Sequence, residues 1–228
     1  MGDEETKTGS LDPLLDSFQI GKVKLANRIF SSSHAPEYNT DGTPSERYIA
    51  YHEEKARGGI GLTMIGGSSN VSVDSASLWG QLNFGQDQFI EPLSGMTERI
   101  HSHGTAIMCQ ITHMGRRNVS NDGDWLPTIA PSSIREPMHR GWPKEMDKHD
   151  IKRVISDFVA AGKRAEKSGL DGIELCATSH LLDQFCENHF QDFKKIISDY
   201  KLLFQTYEDT KVEIEKKVRL LDKNINVD

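Results

Sequence analysis

The chain has 228 residues and a net charge of −7, from 34 acidic and 27 basic side chains, and this length buries a full domain core without metals or disulfide staples. Its mean hydropathy is −0.54 and no stretch approaches the roughly 18 apolar residues of a membrane span, which excludes a channel or transporter and any membrane partner. The acidic balance argues against nucleic acid as a partner, while three cysteines (Cys109, Cys176, Cys186) and a start, MGDEETKTGS, without basic and apolar regions point to a reducing compartment, the cytosol.

From residue 11 to 185 short apolar runs alternate with helical stretches, an order that predicts an α/β fold with a parallel sheet and crossover helices. Arg28 to Ser31 is the first strand. The helix after it takes Thr43 as N-cap and Pro44 as first residue, runs through SERYIAYHEEKAR and stops at Gly58 and Gly59. Ile60 to Ile65 is the second strand, and a helix from about Phe89 to His103 ends at Gly104. Ala106 to Ile111 is the third strand. The 37 residues from His113 to His149 contain four of the eight prolines and read as a loop over the functional face. A third helix begins after Asp150, buries Ile151, Val154, Ile155, Phe158 and Val159, and ends near Gly169. Gly172 to Cys176 is the fourth strand, and no internal repeat is visible.

Composition changes near residue 185, since all 19 glycines lie at or before Gly172 and all eight prolines at or before Pro143. In the tail, residues 186–228, apolar side chains fall at Phe190, Phe193, Ile197, Tyr200, Phe204, Tyr207, Ile214, Val218, Leu221 and Ile225. This 3,4 alternation, interrupted only at Lys211, predicts one long helix. Five seam positions are aromatic, which suits a tight two-stranded coil poorly. Packing on the body and a homodimer through the tail remain equal readings.

Ligand sites in parallel α/β proteins lie beyond the carboxyl ends of the strands. Here the segments at those ends are SSSHAPEY, GGSSNV, CQITHMGRR and CATSHLLDQF. Small, amide-bearing and imidazole side chains suit a flat, polar small molecule that must approach the backbone closely. Residue chemistry alone goes no further than a small-molecule site.

In order and interval, NRIFSSSHAP, KARGGIGLTMIGG, CQITHMGRR, AGKRAEKSGLDGIEL and HLLDQF resemble the amino-terminal half of the Old Yellow Enzyme family of FMN oxidoreductases. The branch with trimethylamine dehydrogenase, 2,4-dienoyl-CoA reductase and the N-demethylases is the most similar. The resemblance implies a (β/α)8 TIM barrel, of which this chain holds about four units, followed by the tail helix. It implies that Ser33, His34 and Ala35 touch the flavin ring, with alanine where a cysteine tethers the cofactor in the covalent branch, so FMN is held non-covalently. Gly66 or Gly67 is the small residue closing the second strand. Gln110 is the glutamine that bonds the flavin pyrimidine, and His113 and Arg116 complete its block. Thr178 and His180 stand at the family's substrate-orienting and proton-donating positions. NAD(P)H or a methylated amine is the implied hydride donor.

Each assignment has a plainer counterpart. Gln110 reads also as a buried amide tying two strands, His113 and Arg116 as loop anchors, and His180 as an imidazole satisfied by a backbone carbonyl. Cys176 reads as a small buried hydrophobe. His101, His103, Cys109 and His113 fit no familiar zinc spacing, so no metal is expected. Four strands are half of what the barrel needs, and the tail lacks the family's fifth-strand arginine and phosphate loops. The chain thus reads as a truncated flavin oxidoreductase that pairs two halves, as an inactive remnant, or as an interaction protein acting through its tail.

Overall fold

The computed structural model describes residues 12–39, 41–75, 80–118, 127–137 and 140–185. The chain divides into two compact units, Met1–Gln184 and Phe185–Asp228. The tail helix expected over 186–228, and the self-association read from it, lie outside the described residues.

The first unit begins with a hairpin that the apolar runs did not reveal, β1 (Phe18–Ile20) and β2 (Val23–Leu25). Its two-residue turn, Gly21-Lys22, takes positive φ at the first position, where Gly21 sits at +55° with no Cβ to oppose it. The segment FQIGKVKL alternates as a hairpin should, but each strand is three residues long, too short for periodicity to stand out.

The chain then runs through β3 (Phe30–Ser31), α1 (Glu46–Arg57), β4 (Leu62–Asn70), α2 (Ile90–His101), β5 (Ala106–Thr112), a short pair β6 (Ile129–Ala130) and β7 (Lys144–Glu145), α3 (Lys148–Lys167) and β8 (Gly172–Leu175). All four predicted strands are present, and they form one sheet in the order β3-β4-β5-β8 with every pair parallel. The predicted loop from His113 to His149 is less bare than expected, because β6 and β7 pair in parallel within it.

Two helix starts differ from the sequence reading. Thr43 does not cap α1: its N–H and hydroxyl both turn onto Asp41 Oδ1, at 3.0 and 2.6 Å, a local bond that competes with capping. Ser45 is the cap, with its Oγ accepting from Tyr48 N at 3.1 Å. Helix α3 starts earlier than expected, at Lys148. Asp147 and Asp150 close a reciprocal capping box there that satisfies otherwise unpaired N–H groups. Its buried stripe is Val154, Phe158, Ala161 and Ala165. Ile151, Ile155 and Val159, expected in that stripe, are only half-buried, since they flank it on the helical wheel.

The register sorts the sheet into two faces. Phe30, Leu62 and Ala106 stand opposite one another, as do Met64, Met108 and Gly172, and then Gln110 and Glu174. Alternation places Thr63, Ile65, Ile107, Cys109, Ile111 and Ile173 on the other face, where α1, α2 and α3 cover them. His52 of α1 meets Thr63 Oγ1 at 2.8 Å, and Tyr48, Leu93, Met96, Ile100 and Ala161 are wholly enclosed. On the first face the hairpin seals the amino-terminal end: Leu25, Leu62 and Ala106 form a buried cluster against Ile20, Val23, Met64 and Met108. This arrangement leaves the carboxyl ends of the strands as the accessible end. Among the described residues, no helix is long and apolar enough to cross a membrane.

Candidate functional site

The carboxyl end of the sheet is shaped by an irregularity in β4. Between Ile65 and Ser69 this strand takes four steps while β5 takes two, from Cys109 to Ile111. The surplus residues bulge outward, with Gly66, Gly67 and Ser68 all at positive φ (+99°, +78° and +71°). Two bonds hold the bulge. Gly66 N donates to the buried Tyr48 hydroxyl at 2.9 Å, and Ser68 N donates to Gln110 Oε1 at 2.9 Å.

Glycine at 67 is required by packing as well as by φ. A Cβ there would lie 2.3 Å from the carbonyl carbon of His34 and 2.5 Å from Ala35 N. The segment after β3 therefore lies directly on the bulge, which brings Ser33, His34, Ala35, Gly66 and Gly67 into one neighbourhood. His34 joins it by its backbone. Its ring turns toward α1, with Nε2 at 2.7 Å from the Tyr51 hydroxyl and Nδ1 at 3.2 Å from Ser32 O. Ala35 is exposed.

Gln110, near the end of β5, is half-buried. It meets Ser68 N through Oε1 and donates Nε2–H to Glu174 Oε2 at 3.2 Å. Ser33 Oγ approaches the same Glu174 oxygen at 3.4 Å. Residues from four strand ends thus form one chain of contacts, Ser68 to Gln110 to Glu174 to Ser33.

His180 is 8 % exposed, and its Nδ1 lies 2.8 Å from Thr112 Oγ1, just past Gln110 on β5. The partner is this hydroxyl and not the backbone carbonyl of the plainer reading. Burial, then the nearby Arg117 charge, lowers its pKa from 6.5 to about 4, so the imidazole is neutral near pH 7. Among the described residues Nε2 has no hydrogen-bond partner. Thr178 stands apart, exposed, its carbonyl 3.8 Å from Cys176 Sγ. Cys176 itself is half-buried, less enclosed than expected because β8 has no neighbour on its far side among the described residues.

His113, just past β5, is held through both ring nitrogens. It is buried, its Nδ1 accepts Gly115 N–H at 3.1 Å, and its Nε2 lies 3.2 Å from Asp74 Oδ1. The Nδ1 acceptor fixes the proton on Nε2, which donates to the carboxylate. Asp74 also receives Arg153 of α3 and the Ser72 hydroxyl. Burial opposes ionisation of Asp74, but these donors outweigh it and hold the carboxyl well below its usual range. Arg116 is half-buried, with its backbone N donating to Gln184 Oε1 at 3.0 Å. His101 pairs with Asp171 and His103 with Glu53, so neither joins Cys109 or His113. Burial raises the Cys109 thiol to about 12.

Three residues went unread in the sequence. Gln184 bridges Arg116 N and Met114 O and packs where Gly115 has no side chain. An amide between Asp183 and Phe185 in the block HLLDQF was a signal for it. Asp74 carried none, because its partners His113 and Arg153 are distant in sequence. Glu174 alternates with apolar neighbours in GIEL, a pattern that gives no sign of its partner Gln110.

The donors present fit one part of an FMN. Gln110 offers an N–H and a carbonyl to the polar edge of a ring, and the side-chain-free bulge lets a flat group approach. Among the described residues the parallel sheet has four strands, short of the later barrel strands whose loops the resemblance assigns to the phosphate.

Comparison with known proteins accords with this geometry. Residues 13–193 match the model of the NADH:flavin oxidoreductase / NADH oxidase family. The chain is 51% identical over 180 residues to a multifunctional alkene reductase/demethylase of Caballeronia cordobensis, covering 79% of this chain and 27% of the relative. It is 46% identical over 174 residues to a probable N-methylproline demethylase of Rhizobium meliloti, covering 76% and 26%. The Old Yellow Enzyme structure from Pichia sp. AKU4542 superposes with a TM-score of 0.71 at 22% identity, covering 76% of this chain and 48% of that one. The chain thus spans about a quarter of these curated relatives and about half of that barrel. The chain belongs to the NADH:flavin oxidoreductase / NADH oxidase family.

Proposed function

We propose that this chain forms the amino-terminal half of an FMN-dependent oxidoreductase of Old Yellow Enzyme type, and contributes the pyrimidine-binding and substrate-facing side of its site. The observation that carries the reading is the Gln110 amide, fixed at a strand end between Ser68 N and Glu174 beside the glycine bulge. The substrate classes proposed are N-methylated amines and alkenes, after the demethylase and alkene reductase relatives, with NAD(P)H as alternative hydride donor.

Bound FMN would supply reversible two-electron hydride chemistry that no side chain offers. The rest falls to the protein. Gln110 binds and orients the ring edge. The backbone of Ser33, His34 and Ala35, pressed on Gly67, sets how closely a flat ring approaches. His180, neutral and with Nδ1 engaged by Thr112, can take or hold a proton at Nε2. Thr178 would reach a substrate only at the rim, given its exposure.

The test is the visible spectrum of the purified chain after FMN addition and desalting, taken together with its mass in solution. Bands near about 370 and about 450 nm that remain with the protein, and fall at least about tenfold in affinity with Gln110→Ala, are expected. A colourless protein, or a flavin held equally well by Gln110→Ala, would overturn the reading.

A further inference from the structure

A side-chain amide can present either end to a ligand, and here both ends are constrained. Ser68 N can only donate, and it meets Oε1 of Gln110 at 2.9 Å. The Glu174 carboxylate, when ionised, can only accept, and it meets Nε2 at 3.2 Å. Turning the amide over would set oxygen against carboxylate and N–H against N–H. Glu174 is the register partner of Gln110 on the neighbouring strand, so the two side chains leave the same face at the same height.

Glu174 is not placed as a structural charge would be. It is exposed, and among the described residues no Lys, Arg or His pairs with it. Among the described residues its hydrogen-bond partners are Gln110 and, at 3.4 Å, the hydroxyl of Ser33. A carboxylate held at the mouth of the sheet by an amide and a hydroxyl does little for the core. It fixes the amide.

We propose that Glu174 is a positioning residue that sets the orientation of Gln110, and so selects a ligand edge with an N–H beside a carbonyl, an imide or lactam. With one Nε2 hydrogen given to Glu174 and one Oε1 lone pair to Ser68, Gln110 keeps one donor and one acceptor, side by side, for that edge. The negative charge behind them disfavours a ligand whose edge is anionic. Identification of the imide as a flavin pyrimidine rests on the function proposed above; the orientation of Gln110 does not.

The experiment follows the Gln110 side-chain amide by nitrogen-15 NMR in the full chain, assigned with Gln110→Leu, in wild type, Glu174→Gln and Glu174→Ala, together with FMN titration of each. In wild type the two Nε2 protons are expected to differ in shift, because one of them is held by Glu174. Glu174→Gln should move that resonance yet keep the amide ordered, since its own carbonyl still accepts. Glu174→Ala should merge the two resonances toward the free-amide position and weaken FMN about tenfold, with the glutamine variant between it and wild type. A Gln110 amide that looks the same in all three proteins would overturn the proposal, whatever FMN does. An amide that responds to Glu174 in proteins that bind no FMN would uphold the positioning role and overturn the flavin reading.

Discussion

The two ends of the central sheet are built from the same four strands and solve opposite problems. At the amino-terminal end Leu62 and Ala106 are buried against Leu25 of the hairpin, and the contacts are apolar and non-directional. At the carboxyl end Gly66, Gly67 and Ser68 all adopt left-handed backbone. The contacts there are hydrogen bonds with fixed donors and acceptors. Only the second end can discriminate between ligands, because orientation is encoded in which atom donates. Only the first can be altered without touching the site.

Substitutions test that division. The largest effect is expected from Gly67→Ala, which adds a Cβ 2.3 Å from the His34 backbone at φ +78°; the combination of overlap and strain should cost about 4 kcal/mol and disrupt ligand binding too. Gly95→Ala is its control, since that helical glycine has nothing within 4 Å. Leu62→Ala comes next, losing about 3 kcal/mol through transfer and cavity terms while leaving ligand affinity within about twofold. Loss of affinity equal to the loss at Gly67 would erase the distinction between the ends. Urea midpoints and FMN titrations of these variants provide the measurements.

A smaller effect probes what stands behind the bulge. Burial, with the Lys55 and His34 charges adding to it, lowers the His52 pKa from 6.5 to about 3. Its Nε2 is buried without a hydrogen-bond partner among the described residues. The unfolded chain takes up this proton more readily, so stability falls as pH drops below about 6.5 and the decline levels off near about 3. From about pH 7 to about pH 5 the expected loss from His52 alone is about 2 kcal/mol. His52→Leu should remove that part of the slope, leaving the part from His180, and an unchanged slope would mean His52 is not held neutral. The smallest effect is at Gly95, where alanine should gain about 0.5–1 kcal/mol by restricting the unfolded chain.

Much of this was legible in the residues. Four strands and three helices follow from apolar runs punctuated by glycine and proline, because burial and backbone freedom act within a few residues. The order of the five motif blocks gave the family, and Gln110 stands near a strand end as the third apolar run implied. The hairpin escaped because three-residue strands carry almost no periodic signal. The caps at Ser45 and Asp147 were misplaced because several polar residues compete for each helix start, and the winner depends on where neighbouring side chains such as Asp41 and Asp150 reach.

What the sequence by itself determined was the alternation of elements, the parallel sheet and the group of polar segments at its carboxyl end. Those depend on local periodicity and on the types of residue present. Only the tertiary structure decided that His113 anchors a buried pair with Asp74, that the His34 ring turns away toward Tyr51, and that Glu174 holds Gln110. Each of these depends on a partner between 17 and 64 residues away. A hydrogen bond acts over about 3 Å, and no local pattern specifies which distant atoms folding will bring within that reach.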